Sequence, residues 1–171
     1  MSANPHPSTD KVVSLDTLPR TPPPPEIADI IRGRMGQYCE LADKNQWNRF
    51  AEITTEDAKL QYCKADGSYM SSNDRPWNFT RSEFIEFCTA AFKDAQYMHM
   101  VGPGTMGYEP ATDSTPATVK SVFNGMYYVG APGESGPFST GGGYYHGTWV
   151  LEGGQWLLKH LIFYRNFYKL P

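Results

Sequence analysis

Thr118-Val119-Lys120-Ser121-Val122-Phe123-Asn124-Gly125-Met126-Tyr127-Tyr128-Val129 is the stretch on which the fold turns. It is rich in β-branched and aromatic residues and alternates in polarity, so it reads as a strand. Neighbouring side chains on a strand point to opposite faces. Lys120 marks the wet side and sends Val119, Ser121, Phe123, Gly125 and Tyr127 inward. The same period extends in both directions, with strands expected at residues 97–101, 105–108, 144–151 and 155–167. In the last of these Lys159 and Arg165 mark the outside, leaving Trp156, Leu158, His160, Ile162 and Tyr164 inside. Between two strands, residues 130–143 carry Pro132, Gly133, Gly136, Pro137 and the run Gly141-Gly142-Gly143, which reads as a long hairpin connection suited to a lid.

Upstream of residue 97 the period changes. Ile27, Ile30, Ile31, Met35, Tyr38, Leu41 and Ala42 recur at helical spacing in a stripe running towards Trp47. Asp43 falls near the end of that helix, where the dipole disfavours an anion, so its carboxylate needs another reason to be there. A short second helix is expected over residues 47–53 and a strand over 58–64, followed by a turn at Ala65-Asp66-Gly67-Ser68 and a loop over 71–78. Thr80-Arg81-Ser82-Glu83 has capping-box form and opens a third helix reaching about Ala95. Helices followed by a strand meander define an α+β domain. Residues 26–171 are expected to form it, and residues 1–25, with their proline run, a flexible tail or strap.

A chain of 171 residues supports one domain, and its formal net charge of -3 argues against partners with phosphate backbones or anionic lipid. The three cysteines show no CxxC pairing and read as buried thiols of a reducing, cytoplasmic setting. Neither a signal segment nor a membrane span is suggested. Aromatic residues make up 14% of the chain, a composition that suits a small core or a pocket for a flat, oxygenated ligand.

His99, His146 and His160 each lie on an expected strand. A lone strand histidine is usually structural, but three on one small sheet, with Asp43 nearby, make a histidine–carboxylate pair possible. Such a pair orients the imidazole and supplies a base near neutral pH. Tyr62, Tyr127 and Tyr144 are candidate hydroxyl donors to a substrate carbonyl. No HxH, HExxH or EF-hand spacing occurs, and no serine or cysteine sits in a nucleophile elbow, so neither metal nor cofactor is expected.

Ala42-Asp43 followed by Trp47, the strand Leu60-Gln61-Tyr62 and the run His99-Met100-Val101-Gly102 resemble scytalone dehydratase and SnoaL-like proteins of the nuclear-transport-factor-2-like superfamily. The resemblance covers about residues 27–168. It implies a cone-shaped, curved, mixed or antiparallel sheet wrapped by three N-terminal helices. Asp43 matches the family's pocket aspartate, Tyr62 a tyrosine that holds a water near the substrate carbonyl, and His99 a histidine of the pocket wall. His146 and Tyr144 fall where the dehydratase has an asparagine and a serine. The dehydratase's base histidine aligns here with Phe123 or Asn124, so the base would be His99 or His146 instead.

Asp43, Tyr62, His99 and His146 are therefore the expected catalytic residues, and Tyr38, Trp47, Phe123, Asn124, Tyr127, Tyr144 and His160 the expected substrate-binding ones. The resemblance implies a cofactor-independent lyase or isomerase that performs dehydration, enolisation or cyclisation on an aromatic, polyketide or terpenoid-type molecule of secondary metabolism. A non-catalytic binding or adaptor module is the alternative on the same fold. Trp149, Leu151, Leu157, Leu161 and Phe163 are assigned outward and are too apolar for water, which predicts a homodimer or higher homo-oligomer.

Overall fold

The computed structural model describes residues 18–19, 21–133 and 137–171. Helix α1 spans Pro25–Asp43, a 3-10 turn covers Trp47–Glu52, and strand β1 runs Thr54–Lys64. A small hairpin of β2 (Ser71–Ser72) and β3 (Arg75–Pro76) precedes β4 (Asn78–Thr80) and helix α2 (Arg81–Ala91). Strands β5 (Gln96–Val101), β6 (Thr105–Glu109), β7 (Thr118–Gly130), β8 (Phe138–Glu152) and β9 (Gln155–Lys169) complete the chain. The sheet order is β4-β1-β9-β8-β7-β5, with β6 also on β7. All of these pairs are antiparallel except β1 with β9, so the sheet is mixed.

Local chemistry accounts for the elements. Pro25 opens α1 with its φ already helical, and Ile31, Met35, Tyr38 and Leu41 form the buried stripe. The capping box of α2 is formed on both sides: Thr80 Oγ1 accepts the Glu83 N–H, and Glu83 Oε2 accepts the Thr80 N–H at 2.9 Å. Of the three expected helices the second is only the 3-10 turn. The helices cover the inner face of the curved, unclosed sheet, with α1 against β5 and β9 and α2 against β1. Tyr38, Phe50, Phe79, Phe84, Trp149, Leu158 and Phe163 fill the space between them.

Three expectations are corrected here. Gly141, Gly142 and Gly143 lie inside β8 rather than in a lid, so the hairpin connection shortens to residues 131–137, of which 134–136 lie outside the described residues. These glycines are required by close approach: a Cβ on Gly143 would stand 1.8 Å from the Tyr164 carbonyl oxygen, and one on Gly141 2.4 Å from the Tyr127 hydroxyl.

Second, the face assignment of β9 reverses partway along. Trp149 pairs with Leu158 but Thr148 pairs with His160, so Lys159 is an extra residue, a β-bulge. Beyond it Leu161, Phe163 and Arg165 face inward, and His160, Ile162 and Tyr164 outward.

Third, most of the expected oligomer face is not a surface. Trp149, Leu161 and Phe163 are 0%, 0% and 2% exposed and Leu157 is half-buried, while Leu151, at 39%, is exposed as expected. The outer face instead exposes Met98, Met100, Met126, Tyr144 and Phe167.

Of the expected tail, residues 1–17 and 20 lie outside the described residues. The Thr21 carbonyl accepts the Tyr108 N–H at 2.8 Å, and Pro19 lies over Gly107, where no side chain obstructs it. No helix among the described residues is long and apolar enough to cross a membrane.

Candidate active site

A cavity of about 190 Å³ opens between the helices and the inner face of the sheet. Its wall is largely aromatic: Tyr38, Trp47, Tyr62, Trp77, Phe84, Phe87, Phe92, Tyr97, Tyr127, Tyr145 and Phe163, with Asp43's partner His99 and with Arg165. The rings meet edge-on or stacked, as in Tyr62 on Phe84 and Trp47 against Tyr97, and each such pair adds roughly 0.5–1.5 kcal/mol beyond simple burial. The wall is therefore held in place before any ligand arrives.

Asp43, the last residue of α1, reaches across to β5. Its Oδ2 accepts the His99 backbone N–H at 3.0 Å, and its Oδ1 lies 2.5 Å from His99 Nδ1. This two-point contact explains an anion at the unfavourable end of a helix dipole. A carboxylate only accepts, so Nδ1 carries the hydrogen and Nε2 keeps its lone pair in the neutral ring. The His99 and Asp43 side chains are 11% and 25% exposed.

The Tyr38 and Tyr62 hydroxyls share a hydrogen bond of 2.5 Å on the opposite wall. Burial pushes both phenols well above the ordinary range, as it does for Tyr145, so all three remain protonated donors at neutral pH. Tyr127 is raised by burial and drawn back by the nearby Arg165 guanidinium. Among the described residues, Trp47 Nε1 and the Tyr97 hydroxyl are buried without a protein partner, and both residues line the cavity. An unsatisfied buried polar group costs about 1–3 kcal/mol, so these positions favour a ligand oxygen or a water.

Burial also raises the thiols of Cys39, pushed up to about 12, and Cys88. Neither is a thiolate nucleophile at neutral pH. No group of three or more His, Cys, Asp and Glu side chains among the described residues is arranged to hold a metal ion.

The cavity thus gathers His99, Tyr62, Tyr38, Trp47 and Tyr127, with Asp43 joined to it through His99. The other expected residues lie elsewhere. Phe123 points inward but is packed into the core, 2% exposed. His146 pairs with Val122 and Ile162 on the outer face, its ring edge-on to Tyr164 at 5.1 Å. His160 Nε2 shares a hydrogen bond with Gln61 Oε1 at 2.8 Å on the same side. Asn124 and Tyr144 line an outer groove with Met100 and Phe167. The cause is register: Phe123 faces Tyr145, which turns the odd-numbered residues of β8 inward there. Alternation within one strand carries no information about that pairing.

Tyr97, Tyr145 and Arg165 are cavity residues that sequence reasoning missed. Tyr97 had a signal, since it shares the parity of His99; Arg165 had none, because the bulge decides its face.

A curved, unclosed α+β sheet with helices over its inner face is a nuclear-transport-factor-2-like fold. Within it the chain belongs to the SnoaL-like domain family, whose model matches residues 26–162. It is 34% identical over 149 residues to "Probable cyclase FGR4" of Gibberella zeae, covering 85% of this chain and 95% of that protein. Among solved structures, it shares its fold with the hexachlorocyclohexane dehydrochlorinase LinA-type3 of Novosphingobium barchaimii (TM-score 0.62, 12% identity, 85% and 90% of the two chains). A Novosphingobium aromaticivorans protein named for scytalone dehydratase matches with TM-score 0.60 at 18% identity, over 85% and 88% of the chains.

Proposed function

We propose that the protein is a lyase or isomerase that removes a proton from carbon next to a carbonyl of an aromatic, polyketide or terpenoid-type molecule, leading to dehydration, enolisation or cyclisation. The observation that carries this reading is the His99–Asp43 pair at the wall of an aromatic cavity. In this scheme His99 Nε2 takes the proton, the C–H electron pair moves onto the carbonyl oxygen, and Asp43 stabilises the imidazolium. The Tyr38–Tyr62 pair and Tyr127 donate towards the oxygen as charge develops. Every proton movement uses side chains of this chain. The relative named as a cyclase and the fold shared with a dehydrochlorinase support the reading.

The experiment is α-proton exchange in D2O, followed by NMR, with a panel of enolisable aryl ketones such as 2-tetralone and 1-indanone. Wild type is expected to accelerate exchange of at least one ketone, and H99Q to abolish the acceleration. Equal rates for the two across the panel overturn the proposal.

Association of copies is part of the same proposal, now through the outer face. Met98, Met100, Met126, Tyr144 and Phe167 form an exposed apolar surface on the open sheet, which a second copy would cover.

A further inference from the structure

Beyond the bulge at Lys159, strand β9 places Arg165 on the cavity wall, two residues after Phe163. A guanidinium keeps its charge at any ordinary pH, and Arg165, half-buried on the aromatic wall, presents that charge to whatever enters the cavity. Arg32, Arg49 and Arg75 each pair with a carboxylate on the surface. No Asp or Glu among the described residues pairs with Arg165; its guanidinium carbon lies 4.5 Å from the Tyr168 ring centre, and it shares the cavity wall with Tyr127, whose pKa it lowers against burial. Tyr127 is in turn the strand partner of His99, their rings 5.9 Å apart. A cation, a phenol and an imidazole therefore share the wall of a largely aromatic cavity.

We propose that Arg165 and Tyr127 form an anion-recognising subsite beside His99, which takes a carboxylate, phenolate or enolate oxygen of an aromatic substrate. The inference rests on reading this cavity as the active site, and it narrows the substrate class to molecules with an acidic or enolisable oxygen. The low-dielectric wall strengthens the contact, and the planar guanidinium offers two parallel donors to one oxygen pair. Arg165 then holds the substrate with its reacting C–H turned to His99 Nε2.

The test is isothermal titration with cinnamate and its neutral isostere cinnamamide, one aromatic ring with a short arm in each case. Wild type is expected to bind cinnamate at least about 10-fold more tightly. R165Q should remove that preference while leaving cinnamamide affinity within about twofold, and H99Q should retain it. A preference that survives R165Q, that is lost in H99Q, or that is absent in wild type overturns the proposal. A second measurement needs no variant: the wild-type preference should persist from pH 7 to pH 9.5, because arginine keeps its charge there. Its disappearance at pH 9.5 also overturns the proposal. Neither measurement involves turnover, so failure of the proton-abstraction reading in the exchange assay is seen separately.

Discussion

Replacing Asp43 with asparagine changes one oxygen for an amide, and the geometry around the carboxylate dictates the response of His99. In the wild type, Oδ1 meets Nδ1 at 2.5 Å and Oδ2 meets the backbone N–H at 3.0 Å, so both contacts need acceptors. Asparagine has one acceptor. The backbone N–H has a fixed proton and claims the amide oxygen, which turns the NH2 group towards Nδ1. That nitrogen must then accept, and the ring proton moves to Nε2. The imidazole becomes a donor where a base is required. A charge-assisted bond worth roughly 1.5–3 kcal/mol gives way to a neutral one of about 1 kcal/mol. With Asp43 partly exposed, the loss of stability is therefore about 1 kcal/mol. Catalysis of α-proton exchange should fall by about 100-fold or more, the scale of a lost general base. The tautomer is read from long-range 1H–15N spectra of protein labelled at histidine, with H99Q used to assign the ring. Wild type should show Nδ1–H and D43N Nε2–H. An unchanged Nδ1–H form in D43N, or an Nε2–H form in wild type, would refute the reasoning.

Other outcomes depend on particular contacts. H146A should leave α-proton exchange within about twofold of wild type while H99A abolishes it, because His146 lies on the outer face against Tyr164. G143A should cost about 3 kcal/mol in urea denaturation, since its Cβ would overlap the Tyr164 carbonyl; a loss below about 0.5 kcal/mol would contradict the packing. Burial pushes Cys39 up to about 12 and Cys63 up to about 11, whereas unfolded thiols titrate at about 8.5. The folded state holds these protons longer, so their stabilisation is complete below about pH 8.5 and is lost as pH rises towards 12. A urea midpoint that is flat or rising between pH 8 and pH 10 would count against this. M100E combined with M126E should convert the associated species to monomer in sedimentation velocity, and an unchanged sedimentation coefficient would remove the outer face as the interface.

Much of the fold was legible in the sequence because it rests on short-range periods. The stripe of α1, the capping box at Thr80 and the alternation of residues 118–129 each depend on neighbours within a few positions. Asp43 was legible as an anomaly, an anion at the wrong end of a helix, and His99 as a strand histidine that matches one of the family's pocket wall.

What the amino-acid order by itself determined, then, was the kind of element at each place and, within one strand, which residues share a face. Only the tertiary structure decided which face lies towards the cavity. That choice depends on pairing between strands far apart in the chain and on the one-residue bulge at Lys159, which exchanges the two faces of β9 from His160 to Arg165, until a second extra residue at Asn166 restores them. The same slip turned His160 and Tyr164 away from the cavity and brought Phe163 and Arg165 into it, while register with β7 left His146 outside. An extra residue in a ladder leaves no mark on local propensity, because its effect appears only where the next strand must match it.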